Sequence, residues 1–146
     1  MKLSFRVIKV QVYFQEVTLT TKARVDLVDL TDQVTGFVHE CNVSAGICLI
    51  DSFHSTTAIV VNEHERGLMT DLLTTLQELF PRGRGWLHDR VDDNADAHLA
   101  SMFLGHATAF PIKDGQLCRG TWQNIFLVEL DGPRTRRVLV EVLGTA

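Results

Sequence analysis

Three histidines set among small polar residues are the strongest chemical signal in this chain. They are His54, within Ser52-Phe53-His54-Ser55-Thr56-Thr57; His88, which precedes Asp89-Arg90; and His98, at the end of Asn94-Ala95-Asp96-Ala97-His98. Imidazole is the commonest protein ligand for metals, and its ordinary pKa lies nearest to neutrality among the side chains. These residues predict a site that binds a metal, transfers protons or holds an anion.

The chemistry depends on whether the fold brings the three rings together, because their spacing fits no metal motif. If His54, His88 and His98 converge, their neutral rings would bind a divalent metal, zinc or magnesium, with a position left open for water or substrate. Glu63 would then be a fourth ligand or a general base. Without a metal, the rings would act as general acids and bases or, when protonated, hold a phosphate group.

The elements around His54 are short strands. Ile47–Phe53 and Thr57–Asn62 are β-rich runs separated by His54 and its polar neighbours. This pattern places His54 at a strand end, where its side chain can be aimed at a site.

The other two histidines are predicted to lie on a loop and a helix. His88 falls in the long segment Pro81–Asp93, and a short helix is predicted over Ala95–Leu104 with Asn94 as its cap. Asn94 and His98 are four residues apart, so they share one face of that helix.

The rest of the pattern is mostly β. Alternation from Phe5 to Asp29 predicts a long strand or a hairpin, a helix begins at Thr31, and a second helix opens at Glu63-His64-Glu65. That helix carries a leucine stripe expected in the core: Leu68, Leu72, Leu76 and Leu79. The later strands are predicted over Thr108–Ile112, Leu117–Leu130 and Val138–Leu143. The predicted class is therefore α+β, with a mainly antiparallel, sandwich-like core and two to three helices.

The last strands add polar candidates. Within the predicted strand Leu117–Leu130, Trp122 and Gln123 point to opposite faces, and we expect the indole in the core and the amide towards the polar site. Asp131 and Arg134 bracket the turn that follows, next to Glu129, whose carboxylate would orient a histidine or pair with the arginine.

Composition limits the class of protein. The 146 residues fit one domain, 1–146, which is long enough for a core without metal or disulfide staples. A net charge of −4 disfavours a protein that binds nucleic acid. No apolar run approaches the roughly 18 residues of a membrane span and no leader is evident, so a cytoplasmic location is expected. The three cysteines have no paired spacing and are expected to be small buried apolar residues.

Four sequence blocks, read together, resemble the YjbQ family, whose members are also called secondary thiamine-phosphate synthases. The blocks are His54-Ser55-Thr56-Thr57-Ala58-Ile59-Val60-Val61-Asn62-Glu63, Asp93-Asn94-Ala95-Asp96-Ala97-His98-Leu99, Gly120-Thr121-Trp122-Gln123 and Glu129-Leu130-Asp131-Gly132-Pro133-Arg134. They occur in the family's order, and the resemblance as a whole covers nearly all of the chain from Gly46 onward.

The resemblance implies a fold, an assembly and roles for residues. It implies a compact α+β unit that forms a trimer, sometimes a hexamer, and a site that holds a divalent metal or an oxyanion. The catalytic residues that it implies are His54, Glu63, His88 and His98. The substrate-binding residues that it implies are Asn94, Gln123, Asp131 and Arg134.

Three functions are compatible with these observations. The first is an enzyme of small phosphorylated metabolites, with thiamine-phosphate synthase activity implied by the resemblance. The second is a metal-dependent hydrolase, in which the histidines activate water. The third is a non-catalytic oligomer that binds a metabolite or a metal.

Oligomerisation also has an argument from the residues. Both faces of the predicted strand from Phe5 to Phe14 are partly apolar, and one chain cannot easily cover both. We therefore expect a homotrimer that hides the second face and places the histidines near a subunit boundary.

Overall fold

A computed structural model describes residues 9–146 of the chain. Residues Phe5–Ile8 of the predicted first strand lie outside the described residues. The elements, in chain order, are β1 (Gln11–Thr20), β2 (Asp26–Asp29), α1 (Thr31–Glu40), β3 (Ala45–Ser52), β4 (Thr57–Asn62), α2 (Arg66–Leu79), a 3-10 helix (Leu87–Arg90), α3 (Ala95–Leu104), β5 (Ala107–Lys113), β6 (Gln116–Leu117), β7 (Asn124–Glu129) and β8 (Thr135–Thr145).

The strands form two antiparallel sheets. The larger sheet has the strand order β1-β8-β3-β5-β6, and the smaller has the order β2-β7-β4. Each sheet buries one face against the other, and the helices pack around them. The α+β class and the antiparallel, sandwich-like core predicted from the sequence are confirmed.

The smaller sheet is the middle layer of the molecule. Ile125 and Leu127 of β7 join the cluster that fills the space between the two sheets and α1. Val128, on the opposite face of the same strand, joins the cluster beneath α2 and α3. Because side chains alternate along a strand, one strand supplies both cores and is buried on both faces. α3 is thereby fixed over β4.

Local signals set the helix ends that matter for the site. Asn94 is the N-cap of α3, although its side chain makes no capping hydrogen bond, and Gly105 ends the helix with φ of 90°. Such a positive φ is accessible to glycine at little cost. Glu65 caps α2, because its carboxylate accepts the N–H groups of Gly67 at 2.7 Å and Leu68 at 2.8 Å.

Three local predictions are wrong. Thr121–Gln123 form a turn before β7, and Trp122 is 68% exposed instead of lying in the core. Cys118 is exposed, whereas Cys41 and Cys48 are buried as expected. Of the leucine stripe on α2 only Leu76 is fully buried, whereas Leu68 and Leu79 are exposed. No helix within residues 9–146 combines the length and the apolar character needed to cross a bilayer.

Candidate functional site

One groove brings two of the predicted histidines together. It lies between the end of β3 and the second half of α3 and has a volume of about 390 Å³. We call it the histidine groove. Its polar lining consists of Asp51, Ser52, His54, Ser55, His98, Ser101 and His106.

His54 enters the groove as a neutral hydrogen-bond donor. Its Nε2 accepts the backbone N–H of Arg137 at 2.9 Å, so the proton of the neutral ring is on Nδ1. Loss of solvent around the ring lowers its pKa, and the nearby charges of Arg136 and Arg137 lower the pKa further. The ring therefore stays neutral near pH 7 and presents an N–H group that can bind an anionic oxygen.

His106 is a groove residue that the sequence analysis missed. Its Nδ1 lies 2.6 Å from Oδ1 of Asp51, so the carboxylate orients the ring and leaves Nε2 available. The backbone O of His106 accepts the N–H of Ser52 at 2.9 Å, which places the residue beside the His54 loop. Only the pairing of β3 with β5 creates this proximity, and no local sequence pattern reveals it.

His88 reaches the site through His98. The two ring centroids are 4.9 Å apart, and the rings meet edge to face at 76°. His88 lies on the 3-10 helix and lines a neighbouring cavity together with His98. The structure therefore places His98 between His88 and the histidine groove.

Three of the predicted substrate-binding residues meet at the N-terminal end of α3. Nδ2 of Asn94 donates to Oδ2 of Asp131 at 3.0 Å, and Nη2 of Arg134 donates to the same oxygen at 2.9 Å. Arg24 adds a bidentate pair with Asp96 at 2.9 and 3.0 Å. Arg24 and Asp96 were not singled out from the sequence, because a contact across 72 positions leaves no local signal.

A buried ion pair between Glu129 and Arg136 joins the loop that contains Asp131 to the loop that contains His54. Glu129 has no exposed surface and Arg136 is 4% exposed. Oε1 of Glu129 accepts the N–H of Asp131 at 2.9 Å, while Nη2 of Arg136 donates to Oγ1 of Thr56 at 3.0 Å. Burial alone would raise the pKa of Glu129, but the Arg136 guanidinium and the N–H donors hold that pKa below its usual value.

Glu63 and Gln123 lie away from the histidine groove. In the pairing of β4 with β7, Thr57 is opposite Glu129 whereas Asn62 is opposite Asn124. The length of β4 therefore separates Glu63 and Gln123 from the histidine groove, a distance of about 17 Å at the usual rise per residue. Oε1 of Gln123 accepts the N–H of Gly120 at 2.6 Å within its own turn. Within a single chain, neither residue joins the site.

The expected metal centre needs at least three ligating side chains close together. Among residues 9–146, no three histidine, cysteine, aspartate or glutamate side chains are grouped so that they could hold an ion. Nε2 of His54 is engaged with the Arg137 amide, and a neutral ring in that state offers no second lone pair. The described residues of one chain thus do not fit a centre made of His54, His88 and His98. Zinc or magnesium remains a prediction.

The fold and groove define a class: an α+β protein with antiparallel sheets whose candidate site is a histidine-lined groove beside a short helix. Comparison with known proteins identifies the family of this chain. The family described as UPF0047 protein YjbQ-like matches residues 15–145. The chain belongs to this family, which confirms the resemblance seen in the sequence.

Relatives and solved structures agree with that assignment. A UPF0047 protein of Archaeoglobus fulgidus is 48% identical over 128 residues, which cover 88% of this chain and 99% of the relative. YugU of Bacillus subtilis is 32% identical, covering 86% and 96%. The crystal structure of a YbjQ-like protein of unknown function from Sulfolobus solfataricus has a TM-score of 0.92 and 53% identity, covering 93% of this chain and 99% of that one.

Proposed function

We propose that this protein is an enzyme that acts on a small phosphorylated metabolite in the histidine groove. The observation that supports this most directly is that His54, His98 and His106 line one groove of about 390 Å³, within the size range of small-molecule sites. A set of converging polar groups in such a cavity is the usual form of a substrate site.

The groove offers two kinds of proton chemistry. Nδ1–H of His54 is a fixed donor for a phosphate oxygen, because Nε2 is engaged with the backbone of Arg137. His106, oriented by Asp51, presents Nε2, which can accept a proton or, once protonated, donate one. The arrangement suits a reaction in which a phosphorylated leaving group gains negative charge.

The reaction that we propose is the joining of a pyrimidine methyl pyrophosphate to a thiazole phosphate. The thiazole nitrogen forms a bond to the methylene carbon while the carbon–oxygen bond to pyrophosphate breaks. Pyrophosphate leaves with the bonding electrons, and no proton has to be removed. The N–H groups of the groove would stabilise the charge that develops on the leaving oxygen.

The experiment compares the wild type with His54→Gln and His106→Gln, the two histidines assigned to this chemistry, in assays of both substrates. We expect each variant to lose about 100-fold or more in turnover, since positioned proton donors contribute on that scale. His39→Gln is the matched control, because His39 is an exposed histidine on α1, away from the groove. Turnover that both groove variants retain would reject this site. Retained phosphate binding without turnover by the wild type would indicate a binding protein instead.

A further inference from the structure

A second cavity adjoins the histidine groove, and its walls are mostly apolar. It has a volume of about 420 Å³ and is lined by Trp86, Leu87, His88, Ala95, His98, Leu99 and Met102. We call it the apolar cavity. His98 and Met102 line both the apolar cavity and the histidine groove, so the two spaces share a wall.

Large apolar side chains stand open at this cavity. Leu87 is 74% exposed and Met102 is 75% exposed. Covering such groups is favourable, and contiguous exposed apolar surface often marks a binding site. Trp86 forms a firm wall, because its Nε1–H donates to the backbone O of Pro81 at 2.9 Å and the Arg84 guanidinium lies 5.3 Å from its ring centre.

The geometry of α3 relates the two spaces. His98 and Met102 are four residues apart and therefore lie on one helix face, about 6 Å apart along the axis. A phosphate group held by His54 in the histidine groove would have its organic substituent directed along His98 and Met102 towards Leu99 and Trp86. Because His98 and Met102 border both spaces, one ligand can contact the histidine groove and the apolar cavity together.

We propose that the apolar cavity binds a flat, apolar ring that belongs to the same ligand whose phosphate group occupies the histidine groove. This inference rests on the proposed function and deepens it, since it assigns the ring of the phosphorylated ligand to a cavity with named walls. A ring buries much apolar surface against aliphatic and aromatic walls, and Trp86 offers a flat face for contact with the ring.

The test measures binding of phenyl phosphate and methyl phosphate to the full chain by calorimetry. Both carry the same phosphate group, and only phenyl phosphate has a ring. We expect phenyl phosphate to bind about tenfold more tightly, and Met102→Ser to reduce that ratio to about threefold or less. Val91→Ser is the control, because Val91 is 85% exposed and apolar but lines neither cavity.

The outcomes separate the two proposals. Equal binding of the two esters would overturn the apolar cavity as a ring site and leave the phosphate site standing. No binding of either ester would contradict the proposed function itself. Oligomer dissociation in Met102→Ser or Leu87→Ser, seen by light scattering, would identify the surface as a contact between copies and would also overturn the inference.

Fluorescence gives an independent readout. The chain has two tryptophans, so Trp122→Phe leaves Trp86 as the sole indole. Phenyl phosphate is expected to change the Trp86 emission in that variant, and methyl phosphate is expected to leave it nearly unchanged. Binding of phenyl phosphate without any change at Trp86 would place the ring elsewhere and reject the proposal.

Discussion

The buried ion pair between Glu129 and Arg136 stabilises the loops that carry residues of the candidate site. Replacing Arg136 by Met would leave a buried, unpaired carboxylate, and we expect a loss of about 3–5 kcal/mol in the free energy of unfolding. Urea unfolding measures this loss. The control is Arg82→Met, since the Arg82–Asp93 pair is exposed and should contribute less than about 1 kcal/mol. A loss for Arg136→Met no larger than for the control would contradict the role assigned to the pair.

His54 makes stability depend on pH. Its folded pKa is below the ordinary value of 6.5, so the unfolded chain binds more protons in the interval between the two pKa values. The free energy of unfolding therefore rises with pH through that interval. The contribution of His54 to it is complete above about pH 6.5 and is lost as the solution is acidified below that pH.

The prediction is tested by urea unfolding at about pH 7.5 and about pH 5.5, one condition above and one below the ordinary histidine pKa. His54→Gln should show a smaller fall than the wild type, since glutamine does not titrate. His39→Gln serves again as the control and should keep the wild-type fall. An identical fall in His54→Gln and the wild type would mean that His54 has the same pKa in both states.

At the residue level, the sequence was informative where candidates lie close along the chain. Asn94 and His98 were predicted at the start of one helix, and Asn94 is the N-cap of α3 while the N–H of His98 donates to the backbone O of Asn94 at 3.2 Å. His106 was missed because only strand pairing places it beside Ser52. Glu63 was expected at the site, yet its distance from the groove follows from the register of β4 on β7, which no residue type specifies.

At the scale of elements, two facing glycines set how closely β3 and β8 approach. Gly46 is paired with Gly144, and a Cβ on Gly46 would lie 2.1 Å from the backbone O of Leu143. Gly46→Ala should therefore lower the free energy of unfolding by about 1–3 kcal/mol, the usual cost of overpacking. Thermal or urea unfolding provides the measurement.

The matched control is Gly36→Ala in α1, where an added Cβ meets nothing within 4 Å. Alanine is the better helix former, so this change should stabilise the protein by about 0.5–1 kcal/mol. If both variants shift stability by the same amount in the same direction, close approach of the strands is not what requires glycine at position 46.

Strands with strong alternation were predictable, and turns made by side chains were not. β1 shows the alternating burial that its sequence implies. The predicted strand Leu117–Leu130 is interrupted because Gln123 bonds the backbone of Gly120 through both its side chain and its own N–H. In this closed turn the side chain of Trp122 faces the solvent. Propensity cannot anticipate it, since the competing hydrogen bonds depend on local geometry.

At the scale of the whole molecule, the outer face of the larger sheet exposes several large apolar side chains. Val12 and Ile47 both lie opposite Leu143 in the strand register, and all three side chains are more than 40% exposed. Phe14, on the same face, is 62% exposed. We propose that other copies of the chain cover this apolar face, with the homotrimer as the expected assembly.

Light scattering on the purified chain tests this assembly. The wild type should have about three times the mass of one chain, and Phe14→Glu combined with Ile47→Lys should shift it towards the monomer, because charges in a contact surface carry a desolvation cost. Leu79→Lys is the control: Leu79 is 59% exposed but lies on α2, in a different layer. A monomeric wild type would contradict the prediction.

The cysteines give a practical consequence for such experiments. Cys41 and Cys48 are buried, and burial raises the pKa of the Cys48 thiol to about 12, whereas Cys118 is exposed at the end of β6. A thiol-directed dye should therefore attach at one position per chain without any engineering. Stepwise photobleaching of single labelled particles would then count subunits directly, at concentrations far below those that scattering requires.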